Sequence, residues 1–386
     1  MSRSKLYITI TVIAILVTIV TYSVIHVYFA SEKAPTTTIP QDASTYSTTN
    51  PSSRLPVIRG AGASFQYPQI AQWARLFQEK TGIPITYQSV GSGAGQRMFL
   101  VDRVVDFAAS DPPLSKSQWE EHKNRVLQVP WMMGAVAVVY NVPSVGGTLN
   151  LSGEVLAKIY LGEVEYWDDA AIVALNPTIA DKLPHQPIVA VHRSDSSGTT
   201  EIFTLFLHKS APDKWSSDLV GKQVDWPVDR SGRGVGAKGN EGVTAVVLQT
   251  AYSIGYVELS YAIEHGLPVA AIKNAAGKFV LPSEMSIQNA ARGVIFPSSP
   301  QDDLSYTLYE VVYSPSEDAY PIATLAYGFF WAKYEDREVA KAVSEFLKWI
   351  VQEGYNYMIK GYTPPPQEAQ RLLVAAARII EENSAR

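Results

Sequence analysis

No cysteine occurs in the 386 residues. Disulfides, thiolate metal sites, redox pairs and a cysteine-linked lipid anchor are therefore excluded. Histidine is sparse. His26, His122, His185, His192, His208 and His265 are scattered, with no pair at the helical spacing of a zinc site, so they read as surface or packing residues and no metal is expected. Charged residues make up only 18% of the chain, and the net charge is -5. The basic face of a nucleic-acid binder is missing, and an anion site has to work through local donors rather than global attraction. Nucleotide motifs are absent too. Phe65 stands where the run Gly60-Ala-Gly62 needs a third glycine, and Lys238 lies between Ala237 and Gly239, which breaks the P-loop pattern. No serine occupies a nucleophile elbow. With no activated nucleophile or His–Asp pair legible, no enzyme, catalytic residue or cofactor is expected.

The chain has one long apolar run. Leu6 to Ala30 carries no formal charge and follows Arg3 and Lys5. It exceeds the roughly 20 residues a spanning helix needs, and Tyr28 stands where a cleavage site would want a small residue. Residues 1–30 read as an uncleaved signal-anchor whose basic flank stays cytoplasmic, placing the rest outside the cell. Residues 31–56 shift to Ser, Thr and Pro, a stalk composition that cannot build a core. The remainder is long enough for a two-lobed head.

Within the head, strands and helices alternate. Pro56–Arg59, Pro84–Val90 and Val104–Ala109 read as strands, with a helix at Tyr67–Lys80 and another starting at Gln96. This is the pattern of a parallel α/β lobe, whose ligands bind at the carboxyl ends of the strands. Gly60–Phe65, Gly91–Gly95 and Ser110–Asp111 fall at those ends. Val126–Pro130 and Ala135–Tyr140 are read as two strands leading into a second lobe. That lobe holds helices at Leu151–Tyr160, Asp168–Leu175 and Val243–Thr250, and a glycine-rich loop at Gly232–Gly242. Val269–Ile272, a helix at Pro282–Arg292 and the run Ile322–Trp331 are expected to complete the first lobe, followed by helices at Asp336–Gly354 and Gln367–Asn383.

One stretch of the second lobe carries concentrated chemistry. A strand at Ile188–Val191 leads through Arg193-Ser-Asp195-Ser-Ser197-Gly198-Thr199 into a helix at Glu201–His208. Helix N-termini offer unpaired N–H donors and a partial positive charge. Arg193 adds a planar fork of donors, and Asp195 is placed to hold it. Taken alone, the stretch fits a capped helix with a surface ion pair equally well.

Six segments, in order, resemble the extracytoplasmic phosphate-binding proteins of ABC-type phosphate importers. They are Gly60-Ala-Gly-Ala-Ser-Phe65, Gly91-Ser-Gly-Ala-Gly95, Asp106-Phe-Ala-Ala-Ser-Asp111-Pro-Pro-Leu114, Tyr160–Asp169 with Leu175-Asn-Pro177, Arg193–Thr199 and Lys238–Val243. The resemblance covers about residue 57 to the C-terminus. It implies a two-lobed periplasmic-binding-protein-like fold of type II (a Venus flytrap). Each lobe is then a mixed sheet flanked by helices, with residues 57–130 and 260–386 in one and 131–259 in the other. It also implies phosphate ligands: Ser64 and the Phe65 N–H, Ser92, Asp111, Arg193, Ser197, Gly198 and Thr199, with Asp195 orienting Arg193. His192 stands where relatives carry a second arginine and is assigned no contact. The implied partners are inorganic phosphate, the permease subunits and a separate ATPase, with the head tethered to the membrane and no nucleic acid involved.

Phosphate near neutral pH keeps a proton that sulfate lacks. An ionised Asp111 facing the ligand needs that proton, so sulfate would leave two acceptors in buried repulsion. Asp111 is the expected discriminator and Arg193 the main cation. Another tetrahedral oxyanion, arsenate or sulfate, is the alternative ligand: arsenate shares the proton chemistry of phosphate and stays open, while a site without Asp111 would point to sulfate. A tethered phosphate sensor is the other reading, and an anchored phosphoesterase is disfavoured by the missing nucleophile and metal.

Overall fold

The computed structural model describes residues 55–384. The expected anchor at residues 1–30, and all but the last two residues of the expected stalk at 31–56, lie outside the described residues. Among the described residues no helix is long and apolar enough to cross a membrane.

The fold is mixed α/β and two-lobed, built on a curled sheet. Among the described residues eleven strands appear in chain order: β1 (Ile58–Gly62), β2 (Ile85–Ser89), β3 (Phe107–Ser110), β4 (Val126–Asn141), β5 (Asn150–Leu151), β6 (Val189–Arg193), β7 (Gly234–Ala237), β8 (Ser253–Glu258), β9 (Ala271–Lys273), β10 (Phe279–Val280) and β11 (Ala323–Trp331). Eight of them form one sheet in the order β2-β1-β3-β11-β4-β8-β6-β7. The pairs β1–β2 and β1–β3 are parallel, as the alternation of strands and helices requires, while β11 runs antiparallel between β3 and β4. At the far end β6 is parallel to both β7 and β8.

The two expected strands around residues 126–140 are one. β4 is continuous and buried along all but its last residue, pairing with β11 over Val126–Ala135 and with β8 over Val136–Asn141. Pro130 has no N–H to give the ladder. A bulge resolves this. Tyr327 pairs with Pro130 and Ala326 with Met132, so Trp131 is the extra residue. Two further expectations change. Part of the Gly232–Gly242 loop is strand β7. Within Val269–Ile272, Val269 bridges Val139 of β4, while β9 pairs with β5 and β10 in a separate three-stranded sheet.

Helices cover the sheet because their apolar residues recur at helical spacing. In Tyr67–Thr81 these are Ile70, Trp73, Ala74 and Phe77, all buried, and Gly82 ends the helix at φ 78°. Trp73, Trp131, Phe107, Phe330 and Phe346 form an edge-to-face cluster beneath β1, β3 and β11. The Trp73 indole donates to the Gly354 carbonyl at 2.9 Å, which ties the first helix to the C-terminal region. The Arg337–Gln352 and Gln367–Ser384 helices pack together there, their apolar faces buried.

Candidate functional site

Loops at the carboxyl ends of β1, β3 and β6 converge with two helix N-termini. β1 ends at Gly62, and Ser64 and Phe65 lie in the turn before the Tyr67–Thr81 helix. The Phe65 ring is buried against Tyr362, whose hydroxyl donates to the Phe65 carbonyl at 2.6 Å. Phe65 can therefore offer the cleft only its N–H. The second helix starts earlier than expected, at Ser92, so the Gly93 and Gly95 positions are its first turn rather than a loop. Asp111 directly follows β3. On the other side β6 runs on to Arg193, and its helix begins at Gly198 with Ser197 as N-cap; the Ser197 hydroxyl accepts the Thr200 N–H at 3.1 Å. The first N–H groups of that helix, at Gly198 and Thr199, have no intrahelical partner.

The structure brings the expected residues together and buries them. Ser64, Ser92, Asp111, Arg193, Ser197 and Thr199 are each at most 4% exposed. Arg193 and Asp195 form a forked pair, Nε to Oδ1 at 2.7 Å and Nη2 to Oδ2. The Gly239 N–H also donates to Asp195, at 3.0 Å. This leaves Nη1 of Arg193 directed at Thr199, whose Oγ1 it approaches at 3.4 Å. The two sides of the cleft touch. Thr199 Oγ1 donates to Asp111 Oδ2 at 3.3 Å, and the Gly93 N–H donates to the Ser196 carbonyl at 3.1 Å. Gly198 permits this approach, because a Cβ there would sit 2.4 Å from Ser92 Oγ and 2.8 Å from Asp111 Oδ2. Gly91, at φ 90°, does the same against Asp195 and Ser196.

The electrostatics of the two aspartates diverge. Burial pushes the Asp111 carboxyl up to about 7, against the Gln66 hydrogen bond, the Arg193 charge and the Thr199 and Ser92 hydroxyls. Burial also works to raise Asp195, but the Arg193 fork and the Gly239 N–H outweigh it and hold this carboxylate below its usual range. Asp195 stays a fixed anion that orients Arg193, while Asp111 is the group able to take up or release a proton. His192 points away from the cluster, as its neighbour on an alternating strand should. Its ring pairs with Asp229 at 2.8 Å and stacks on Trp226.

Three residues at the site were not expected from the sequence. Gln66 donates to Asp111 Oδ1 at 3.3 Å. Its other amide atom faces the Trp131 indole at 2.6 Å, and because indole can only donate, that atom is the oxygen. Asn240, wholly buried at the start of the Gly239–Gln249 helix, reaches Ser64 and Thr199. The only signal for it was its place in the Lys238–Val243 segment, where asparagine reads as a cap or turn residue. Glu258 ends β8 fully buried. Its Oε2 accepts the Ser260 N–H at 2.8 Å, its Oε1 has no partner, and burial pushes the carboxyl up to about 8. An open depression of about 800 Å³ lies beside the cluster, lined by Tyr67, Glu241, Tyr261 and Lys360 among others, and none of the residues expected from the sequence lines it.

Among the described residues no group of three or more His, Asp or Glu side chains could hold a metal ion. What the cluster offers is one fixed cation, several O–H and N–H donors and, in Asp111, a titratable acceptor bonded to them. Such a set suits a small tetrahedral anion that carries a proton.

Comparison with known proteins bears on this geometry. Residues 32–353 match the model of the PBP superfamily domain. A phosphate-binding protein PstS of Methanocaldococcus jannaschii is 41% identical, covering 84% of this chain and 87% of its own length. A phosphate-binding protein PstS of Pasteurella multocida is 38% identical, covering 84% and 90%. The solved structure of a high-affinity periplasmic phosphate-binding protein bound with phosphate superposes with a TM-score of 0.61 at 23% identity, covering 82% of this chain and 92% of that one. This last likeness speaks for the fold.

Proposed function

The chain belongs to the PBP superfamily and, within it, to the PstS phosphate-binding proteins, and from that premise we propose that it binds inorganic phosphate outside the cytoplasm and delivers it to an ABC permease. The observation that carries the reading is the buried cluster itself. Arg193, held by Asp195, faces donors from both sides of a cleft, with Asp111 as the one acceptor.

Each group has a role set by its chemistry. Arg193 supplies the charge. The Phe65, Gly198 and Thr199 N–H groups and the Ser64, Ser92, Ser197 and Thr199 hydroxyls supply fixed donors. Asp111 accepts the proton that phosphate retains, and this bond is the one sulfate cannot make to an ionised Asp111. The site acts by binding, not by chemistry on the ligand, and it has no cofactor. Because its donors come from two sides, we assign residues 57–130 and 260–386 to one lobe and residues 131–259 to the other. The lobes form a type II Venus flytrap pivoting where the chain crosses at β4 and β8. Binding energy shifts the population toward the closed form, which a permease coupled to a separate ATPase then recognises. We assign residues 1–30 as the membrane tether, on the strength of the uncharged run Leu6–Ala30.

Calorimetric titration with phosphate, arsenate and sulfate tests the assignment. Tight binding of phosphate with exclusion of sulfate at pH 8.5 is expected, with no turnover of phosphate esters. Absence of phosphate binding, or equal affinity for sulfate at that pH, overturns it.

A further inference from the structure

Asn240 is fully buried, touches both sides of the cleft and has no role in the site so far. Its Oδ1 accepts the Glu258 backbone N–H at 2.8 Å. A backbone N–H can only donate, so the other end of the amide is fixed as NH₂. That NH₂ lies 3.0 Å from Ser64 Oγ and 3.3 Å from Thr199 Oγ1. The Asn240 backbone N–H adds a second bond to Ser64 Oγ, at 3.1 Å. Thr199 Oγ1 also receives Arg193 Nη1, at 3.4 Å. A hydroxyl has one proton and two acceptor lone pairs. Both lone pairs of Ser64 are filled by Asn240, and those of Thr199 by Asn240 and Arg193.

Resting on the phosphate reading above, we propose that Asn240 is a positioning residue that sets the polarity of the cleft. It saturates the Ser64 and Thr199 hydroxyls as acceptors, so that each has only its proton left to offer the ligand. Serine and threonine are otherwise ambivalent and can turn a lone pair toward an anion, which repels it. With Asn240 in place, every hydroxyl it touches becomes an obligate donor, and Asp111 remains the acceptor opposite. The Thr199 proton already points this way, toward Asp111 Oδ2. Thr199, Arg193 and Asn240 lie on one side, so the polarity of Thr199 is set within it, whereas that of Ser64, in the β1 turn opposite, is set only when the two sides meet.

The test is a set of double-mutant cycles read by phosphate titration. Asn240→Ala is expected to weaken phosphate binding about 10-fold or more, the worth of the donors it aligns. If Asn240 acts through the two hydroxyls, its effect falls below about 3-fold once Ser64→Ala and Thr199→Val are both present. In a Ser197→Ala background, a hydroxyl Asn240 does not touch, the full loss is expected to persist. A purely structural asparagine gives no such pattern. Should Asn240→Ala not fold, Asn240→Asp keeps the acceptor for the Glu258 N–H while removing the amide protons, and it enters the same cycles. Coupling with Ser64 and Thr199 but not Ser197 supports the proposal; equal losses in all backgrounds overturn it. A wild-type head that binds no phosphate overturns this inference together with the phosphate reading, whereas additive cycles on a phosphate-binding head overturn this inference alone.

Discussion

Sulfate carries no proton to lose between pH 5.5 and 8.5, so any pH dependence of its binding belongs to the protein. Burial sets the Asp111 carboxyl at about 7. Above that value Asp111 is an anion and faces sulfate acceptor to acceptor; below it, Asp111 carries a proton and becomes a donor. At pH 5.5 about 97% of such a group is protonated and at pH 8.5 about 3%, so sulfate affinity should fall about 30-fold across the range. A bound dianion favours the protonated form further, which moves the midpoint upward without changing the sign. Phosphate, able to bring its own proton, should lose nothing comparable over the same rise. The assay is isothermal titration of the head with sulfate alone at several pH values, repeated on Asp111→Asn. That variant offers an amide donor at every pH, so sulfate should bind it with no slope. Flat sulfate binding in the wild type refutes the reasoning, and so does a slope that survives in Asp111→Asn.

Other perturbations address separate links of the argument. Gly198→Ala places a Cβ against Ser92 and Asp111 across the cleft, and overpacking of about 1–3 kcal/mol predicts phosphate binding weaker by about 5- to 150-fold. Its ligand-free melting temperature should be nearly unchanged, and unchanged affinity would show that the cleft need not close this far. Arg193→Ala should weaken phosphate, arsenate and sulfate alike by about two orders of magnitude or more, since it removes the cation and strands the partly buried Asp195; selective loss of one anion would contradict this. Glu258, raised from 4.5 to about 8, binds its proton more tightly folded than unfolded. Its contribution to stability is therefore present below about pH 4.5 and lost as the pH rises through about 8. Thermal denaturation of the ligand-free head should show stability falling from pH 5 to 9, with Asp111 adding in the same direction. Glu258→Gln should make that slope shallower and raise the melting temperature at pH 8.5, and an unaltered slope would count against the buried carboxyl.

How much of this was legible in the sequence follows from what each residue depends on. The cleft loops could be read because glycine runs recur after apolar strands, and because Arg193, Asp195 and the Ser197–Thr199 turn are consecutive. The start of the second helix at Ser92 was hidden, since Gly93 and Gly95 read as a turn and only packing against Gly62 and Ser196 selects the helix. The continuity of β4 was hidden by Pro130, because a bulge at Trp131 depends on a partner strand some two hundred positions away. Gln66 needs that same Trp131 indole to fix its orientation, so its part at Asp111 exists only in three dimensions. Asn240 depends likewise on the Glu258 N–H and on hydroxyls from two distant segments. Asp195 also acts through another residue, yet it was found because Arg193 lies two positions away; Gln66 and Asn240, whose partners are distant in sequence, were not.

The position of β11 bears on the order in which the chain assembles. It lies between β3 and β4, yet it is the last strand made. Until residue 331 is available, β3 and the first half of β4 each present an unpaired edge, whereas β8 can already pair with the second half of β4, β6 with β8, and β7 with β6. In vectorial synthesis the side bearing Arg193 therefore finishes first. The side bearing Asp111 waits with open hydrogen-bonding edges, the period in which such a chain is most exposed to strand-edge aggregation and most in need of a chaperone.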